Sequence, residues 1–205
     1  MAAGQQARDA VIGSGPNGLA AAILLAREGR SVTVYEANPT IGGGTRSAEL
    51  TLPGFVHDIC SAIHPMGIAS PCFEMFPLAE HGLHWIHPPA PLAHPLDDGT
   101  AVMLERSVPE TARNLGEDGA AWAHLMRPLA AGWGGLRCDL MAPLVKLPHH
   151  PLLMARFGLS ALRSARALVE STFRGVRARA LFGGIAAHSF LPMETAGSAA
   201  IGMVL

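Results

Sequence analysis

Short apolar runs that end at glycine mark the start of the chain. Residues 10–12 (Ala-Val-Ile) form such a run, which is typical of a buried parallel strand. Residues 17–28 are rich in Ala and Leu and are followed by Gly29, a pattern that predicts a helix with glycine at its end. Residues 31–35 alternate and include β-branched side chains, which predicts a second strand. These segments together predict a strand–helix–strand unit of about 30 residues.

Beyond Asn38 the pattern changes to loops and hairpins. Pro39 and the glycines at 42–44 predict a loop. Two hairpins are predicted further along, each by two apolar runs around a turn sequence: 49–52 and 55–59 around Pro53-Gly54, and 92–96 and 100–104 around Asp97-Asp98-Gly99.

Helical patterns dominate the second half of the chain. Ser107 and Glu110 have the spacing of a capping box, which predicts a helix that runs to about Leu115. A further helix is predicted from Asp118 toward Arg127, with an interruption at Pro128. One long amphipathic helix that ends near Gly183-Gly184 is predicted by the spacing of Leu159, Leu162, Val169, Phe173 and Val176.

Composition narrows the class of protein. The chain has 205 residues, of which 49% are hydrophobic, so a sizeable core is expected. Lys+Arg number 15 and Asp+Glu number 16, and this balance lacks the basic footprint of a nucleic-acid-binding protein. The three cysteines form no C-x-x-C, which argues against dithiol redox chemistry and against a zinc ribbon.

We expect a cytoplasmic protein without a transmembrane segment. The first ten residues lack the apolar stretch of a secretory signal, and the longest apolar run, 19–26, is too short to span a bilayer. The composition, rich in Arg and Ala, agrees with that expectation.

A glycine pattern at the first strand–helix junction carries the main functional signal. Gly13, Gly15 and Gly18 fit G-x-G-x-x-G after a predicted strand, and Glu36 stands at the end of the next strand. The first glycine permits a tight turn, the second lets a diphosphate approach the backbone, and the third lets the helix lie close to the strand. The helix N-terminus favours the diphosphate, and Glu36 can accept hydrogen bonds from ribose hydroxyls while repelling a 2′-phosphate.

A second glycine segment indicates which dinucleotide is bound. Gly42 and Gly43 follow Glu36 closely, with Arg46 and Ser47 just beyond. The whole segment resembles the FAD site of the amine oxidase and phytoene desaturase superfamily: VIGSGPNGLAAAILLAREGRSVTVYEANPTIGGGTRS. The phytoene dehydrogenase-related branch, which includes carotenoid desaturases and pyridine nucleotide-disulfide oxidoreductase domain proteins, is most similar in GGGTRS and PGFVHDICSAIHPMG.

The resemblance implies a set of cofactor-binding residues. Its three motif glycines would face the FAD diphosphate, Glu36 would hold the adenosine ribose, and the second glycine segment would pass along the flavin side of the diphosphate. Arg46 would neutralise a phosphate oxygen or sit near the flavin, with a solvated loop arginine as the alternative. Gly44 stands where many amine oxidases have an arginine. The implied site comprises Gly13, Ser14, Gly15, Pro16, Asn17, Gly18, Glu36, Ala37, Gly42, Gly43, Gly44, Thr45, Arg46 and Ser47.

The resemblance also implies the fold class and the activity. We expect an α/β protein with a Rossmann-like FAD-binding segment over 1–66 and part of an α+β substrate or cap region over 67–205. Members of the superfamily are considerably longer, so we expect this fold to be incomplete at its C-terminus. The implied function is that of an FAD-dependent oxidoreductase, of the dehydrogenase or desaturase type, acting on a small organic substrate, for which a lipophilic compound is one candidate. An NAD-binding dehydrogenase and a truncated FAD-binding fragment without its own activity stay open as alternatives.

Two other groups of residues are candidates for sites. His81, His84 and His87 recur at a spacing of three, but the Gly and Pro around them favour a loop or strand over a metal site. The arginines between 163 and 179 would suit peripheral contact with a membrane, although a packed helix with arginine stems over its neighbours is the interpretation that we favour.

Overall fold

The computed structural model describes residues 8–143 and 146–205, which cluster into two compact units. The first unit ends at Leu83 and the second begins at His84. The N-terminal segment for which we expect no secretory signal falls largely outside the described residues, because it includes residues 1–7. In the described ranges, no helix is both long enough and apolar enough to cross a membrane.

A parallel βαβ element begins the first unit, as the sequence predicts. Strand β1 (Arg8–Ile12) pairs in parallel with β2 (Ser31–Tyr35), so that Ile12 lies opposite Tyr35. Helix α1 (Pro16–Arg27) connects them. Gly29 follows α1 with a φ of +77°, a conformation that glycine adopts without strain.

The first hairpin forms, but one of its strands lies earlier in the chain than predicted. Strand β3 (Ser47–Glu49) pairs antiparallel with β4 (Val56–Asp58), whereas the predicted first strand covered 49–52. The hydroxyl of Ser47 donates to the Asp58 carboxylate at 2.8 Å across this pair. Leu50 and Leu52, whose apolar character suggested the strand, are both exposed.

The rest of the first unit consists of short helical turns. Helices α2 (Pro65–Ile68) and α3 (Pro71–Glu74) are followed by a 3₁₀ turn at Leu78–His81. The Arg27 guanidinium of α1 donates to the Met75 carbonyl at 3.3 Å. This contact ties residues beyond our sequence division at 66/67 to the first unit.

The second unit is a hairpin with helices around one apolar core. The predicted hairpin forms from β5 (Leu92–Pro95) and β6 (Ala101–Leu104). The helices that follow are α4 (Val108–Asn114), α5 (Gly119–Ala131), α6 (Trp133–Leu140), α7 (Pro151–Ala161), α8 (Ala165–Thr172), α9 (Val176–Ala186) and α10 (Ala199–Val204). Trp122, Phe173 and Phe182 are the largest side chains buried in this core.

Helix α4 begins where the capping-box pattern predicts, and the Ser107 half of the box is formed. The Ser107 hydroxyl accepts a hydrogen bond from the backbone N–H of Glu110 at 3.4 Å. The Glu110 carboxylate itself lies 3.7 Å from the Arg113 guanidinium, on the exposed side of the helix. The helix ends at Asn114, close to the predicted end at Leu115.

The predicted interruption at Pro128 is wrong. Helix α5 continues through Pro128 to Ala131. A proline has no N–H to donate to the carbonyl four residues earlier, which here belongs to His124. The Arg156 guanidinium of α7 lies 3.5 Å from that carbonyl oxygen and donates to it, so the freed acceptor finds a partner.

The predicted long helix over 159–184 is also wrong, because the segment forms parts of α7, α8 and α9. Ser164 caps α8 by accepting from the Ala167 N–H at 3.2 Å, and Gly175 is the N-cap of α9. Helix α9 extends through Gly183-Gly184 to Ala186. Leu159 and Leu162, which suggested a continuous apolar face, are exposed.

Candidate functional site

The glycine turn after β1 brings the strand and the helix into close contact. Gly13 has a φ of +93°, and Gly15 is the N-cap of α1. A Cβ on Gly18 would lie 2.0 Å from the Gly13 carbonyl oxygen, so only glycine allows α1 to pack here. The twelve-residue helix α1 has no side-chain cap at Gly15, and the first N–H groups of an α-helix have no acceptor within the helix.

The second glycine segment packs directly against this turn. The Gly42 N–H donates to the Ser14 carbonyl at 3.0 Å. A Cβ on Gly43 would lie 2.9 Å from the Gly15 Cα, and Gly42 and Gly43 have φ angles of +115° and +55°. Two motifs separated in sequence therefore form one surface of bare backbone beside the N-terminus of α1.

The carboxylate of Glu36 points toward the same turn and is held there by four donors. Its Oε2 accepts from the backbone N–H of Ser14 at 2.9 Å and from the Ser14 hydroxyl at 2.5 Å. Its Oε1 accepts from the backbone N–H of Asn38 at 2.9 Å and from the Asn38 amide at 2.8 Å. These hydrogen bonds, those of Ser14 first, hold the pKa of Glu36 well below its ordinary value of 4.5, so the group is ionised.

Three polar residues of the predicted site form hydrogen bonds within or just after the second glycine segment. The Thr45 hydroxyl donates to the Gly42 carbonyl at 2.7 Å, and the Arg46 Nε donates to the Gly43 carbonyl at 2.9 Å. Ser47 begins β3 and bonds across the hairpin to Asp58. The Nε contact holds Arg46 to its own loop, and neutralisation of a phosphate oxygen by its guanidinium stays a prediction.

The remaining predicted site residues fill in the backbone around these contacts. Pro16 is the first residue of α1, and Asn17 follows it with an exposed side chain. Ala37 is exposed between Glu36 and Asn38. A Cβ on Gly44 would meet the Cys60 sulfur at 3.8 Å, an ordinary contact, so space alone does not require glycine there.

Asn38 is the site residue that the sequence analysis missed. It donates to Glu36 from both its backbone and its side chain. The available signal was its position: an Asn two residues after the strand-end acid and directly before Pro39 is typical of a local side-chain–backbone turn.

The histidines and arginines considered as further candidate sites lie in the following local structure. His81 ends a 3₁₀ turn, and His84 and His87 lie in segments without regular structure. Among the described residues, no group of three or more His, Cys, Asp or Glu side chains is placed to hold a metal ion. Arg177 donates to the carbonyl of Ala101 at 2.9 Å, as expected of an arginine that packs over its own unit.

Asp139 is a second carboxylate with many donors, in the second unit. Burial would raise the pKa of Asp139, but hydrogen bonds from the backbone N–H groups and rings of His149 and His150 lower it to about 2. Both N–H groups donate at 2.8 Å just before α7 begins. The His149-His150 pair thus fixes the start of a helix.

Comparison with known proteins supports a Rossmann-like fold for the first unit. Residues 11–77 match the family model of NAD(P)-binding Rossmann-like domains. No curated protein matches the chain. Wild-type putrescine oxidase bound to putrescine is similar at 23% identity and a TM-score of 0.55, over 97% of this chain and 41% of that one. A triple mutant of putrescine oxidase, redesigned in its cofactor binding, is similar at 23% identity and a TM-score of 0.54, over 96% of this chain and 41% of that one.

The likeness to these structures concerns the fold. The chain spans about two-fifths of the length of the putrescine oxidase structures that it matches. Residues 11–77 of the chain accordingly have a Rossmann-like type of fold.

Proposed function

We propose that the first unit binds FAD and that this chain is the dinucleotide-binding part of an FAD-dependent oxidoreductase. One observation carries the proposal: the Gly42–Gly43 loop packs on the glycine turn, beside the ionised carboxylate of Glu36. A single glycine turn is common to dinucleotide-binding folds in general. The second loop is the feature by which the sequence resembles FAD enzymes in particular.

The residues present fit a dinucleotide diphosphate. Gly15 and Gly43 approach each other so closely that a Cβ on Gly43 would lie 2.9 Å from the Gly15 Cα, which keeps this part of the surface free of side chains, and the adjoining N-terminus of α1 carries a partial positive charge. Glu36 would accept hydrogen bonds from the adenosine ribose. Its negative charge would repel a 2′-phosphate, so NADP is disfavoured.

FAD, when bound, supplies two-electron oxidation by accepting a hydride equivalent from an organic substrate. The part of this chain in that chemistry is to bind and orient the cofactor: the two glycine segments hold the diphosphate, and Glu36 holds the adenosine end. Arg46, whose Nε bonds the Gly43 carbonyl, stiffens the loop that passes the flavin side.

Two classes of substrate are candidates for such an enzyme. The sequence of residues 42–47 resembles that of phytoene dehydrogenases, and this resemblance, Gly44 in particular, favours a dehydrogenase or desaturase that acts on a lipophilic substrate. The fold likeness to putrescine oxidase bound to putrescine favours an amine. We place the dehydrogenase or desaturase first, because the residues of the site itself favour it.

Cofactor titration tests the proposal directly. The purified 205-residue chain is titrated separately with FAD, NAD⁺ and NADP⁺, and binding is followed by calorimetry and by flavin fluorescence. We expect one FAD per chain, with NAD⁺ and NADP⁺ binding more weakly. Preference for NAD⁺ over FAD would instead identify a nicotinamide-dependent dehydrogenase, and binding of none of the three would refute the proposal.

Activity is measured on the FAD-loaded chain in a separate assay. Putrescine and other amines form one substrate panel and apolar polyenes another, with a redox dye as the electron acceptor. Dye reduction with polyenes supports our assignment, and reduction with amines alone overturns it in favour of the amine branch. FAD binding without turnover on either panel would identify a cofactor-binding fragment.

A further inference from the structure

We propose that Ser14 is a positioning residue for the ribose of the bound dinucleotide and that Asn38 is a stand-in donor which a ribose hydroxyl displaces. This inference rests on the proposed function, because it concerns the same site. It assigns roles to the two residues that hold the carboxylate of Glu36, one of which lies outside the glycine motifs.

The argument begins with the number of acceptor positions on Glu36. An ionised carboxylate offers about four lone-pair positions, two on each oxygen. Ser14 and Asn38 contribute two donors each, so Oε2 is occupied by the first residue and Oε1 by the second. A ribose hydroxyl therefore hydrogen-bonds fully to this carboxylate only when one of the present donors leaves.

Burial decides which of the four donors leaves. The two backbone N–H groups are fixed by the chain, and Ser14 is only 1% exposed, so its hydroxyl has no water to turn toward. Asn38 is exposed, and its amide can exchange Glu36 for water at little cost. The Asn38 amide is therefore the donor that a ribose hydroxyl replaces, at Oε1.

The same geometry gives Ser14 the opposite role. Its hydroxyl and backbone N–H both donate hydrogen bonds to Oε2 of Glu36. These two bonds fix the rotation of the carboxylate and therefore the direction of the lone pairs on Oε1. A side chain that is already oriented loses little freedom on binding. Ser14 would thus strengthen ribose binding without touching the ribose itself.

Ribose analogues separate these roles from a general structural effect. The probes are ADP, 2′-deoxy-ADP and 3′-deoxy-ADP, which share the adenine and the diphosphate. A charge-assisted hydrogen bond predicts that the wild-type chain prefers ADP to one of the deoxy analogues by about tenfold. For Ser14→Ala we expect that preference to fall to about threefold or less, since the acceptor is no longer held in one orientation.

Asn38→Ala is expected to act in the other direction. Removing the displaceable amide leaves the backbone N–H of Asn38 in place, so ADP should bind as tightly as to the wild type or up to about threefold more tightly, with its preference over the deoxy analogue kept. The matched control is Ser70→Ala, which deletes a hydroxyl that caps α3 and should leave the preference unchanged.

The outcomes keep this inference apart from the proposed function. If the wild-type chain binds FAD but Ser14→Ala keeps the full preference for ADP, or Asn38→Ala weakens ADP binding, the roles of these residues are refuted and the FAD proposal stands. If the wild-type chain binds neither FAD nor ADP, the proposed function fails first. Should Ser14→Ala not fold, the Asn38→Ala measurement decides alone, since its predicted direction is opposite to that of an ordinary loss of contact.

Discussion

Gly43 is restricted both by its own backbone and by its neighbour in the first unit. Its φ of +55° is unfavourable for any residue with a Cβ, and a Cβ would lie 2.9 Å from the Gly15 Cα. Gly54, in the turn between β3 and β4, also has a positive φ, +84°, but a Cβ there would meet no atom within 4 Å. Substitutions at Gly43 and Gly54 therefore separate the effect of a positive φ from the effect of a close contact.

We predict that Gly43→Ala weakens FAD binding by about tenfold or more, because the second loop must move off the glycine turn. Gly54→Ala should cost about 1 kcal/mol of stability for its positive φ and leave FAD affinity within about twofold. Fluorescence titration measures the affinities, and urea unfolding measures the stabilities. Equal loss of FAD affinity in both variants would contradict the assigned contact.

The ionised state of Glu36 predicts a dependence of stability on pH. A carboxyl whose pKa is depressed by folding stabilises the folded state above its ordinary pKa, here 4.5, and that contribution is lost as pH falls through the lower folded-state value. Glutamine does not titrate. The stability advantage of the wild type over Glu36→Gln should therefore be constant near neutral pH and should shrink once pH falls below 4.5.

Urea unfolding followed by circular dichroism, repeated across this pH range, measures that advantage. Glu49→Gln is the matched control, because Glu49 is an exposed carboxylate of the same unit. An advantage of the wild type over Glu36→Gln that stays constant to the lowest pH would show that the hydrogen bonds to Glu36 do not form in solution.

At the scale of elements, the sequence predicts those strands and helices that depend on interactions between neighbouring residues. The βαβ element and the β5–β6 hairpin follow from glycine positions and from alternation over a few residues, and both were predicted. Helices α7, α8 and α9 were merged, because apolar spacing continues across the caps at Ser164 and Gly175. Helix α5 continues through Pro128, and Arg156, a residue distant in sequence, donates to the carbonyl that the proline leaves without its helical donor.

Two adjacent glycines in α9 are predicted to have opposite effects on stability. A Cβ on Gly183 would meet nothing within 4 Å, so Gly183→Ala should stabilise the helix by about 0.5–1 kcal/mol. A Cβ on Gly184 would lie 2.3 Å from the His94 ring of β5, so Gly184→Ala should destabilise the unit by about 1–3 kcal/mol.

Thermal and urea unfolding of the two variants tests how α9 packs on the hairpin. The double variant Gly184→Ala, His94→Ala should recover part of the loss, because the colliding ring is gone. Destabilisation by Gly183→Ala of the same size as that by Gly184→Ala would contradict the described packing.

At the scale of the whole molecule, the two units differ in how much apolar surface they bury. The apolar cluster with Trp122, Phe173 and Phe182 belongs to the second unit. Among the described residues of the first unit, the buried apolar side chains are Ala22 and Ala69. Ile12 and Tyr35, at the ends of the parallel strands, are 81% and 58% exposed, whereas parallel sheets ordinarily have both faces covered.

Most of the candidate site could be predicted from the sequence, because it depends on backbone geometry and charge. Its glycines and Glu36 are needed where they are by backbone geometry and charge, which leave a pattern along the chain. The hydrogen bond from the Asn38 amide to Glu36 depends on the conformation of one side chain after a strand. The spacing of apolar residues contains no information on that conformation. The second unit lacks such a pattern, and its helix packing became visible only in three dimensions.

This difference predicts that hydrogen exchange will distinguish the two units and that FAD will change the contrast. Backbone amides around Trp122 and Phe182 should exchange slowly, since their exposure requires opening of the core, while amides of the first unit should exchange faster.

A ligand that binds only the folded form stabilises it by about 2.7 kcal/mol at 100 times its Kd, which corresponds to about 100-fold slower exchange by global opening. Exchange mass spectrometry with FAD should show this slowing at 13–18 and 42–46, and FMN, which lacks the adenosine that Glu36 would hold, should produce much less. Slowing of equal size with FMN and FAD would mean that the adenosine end contributes nothing to the site.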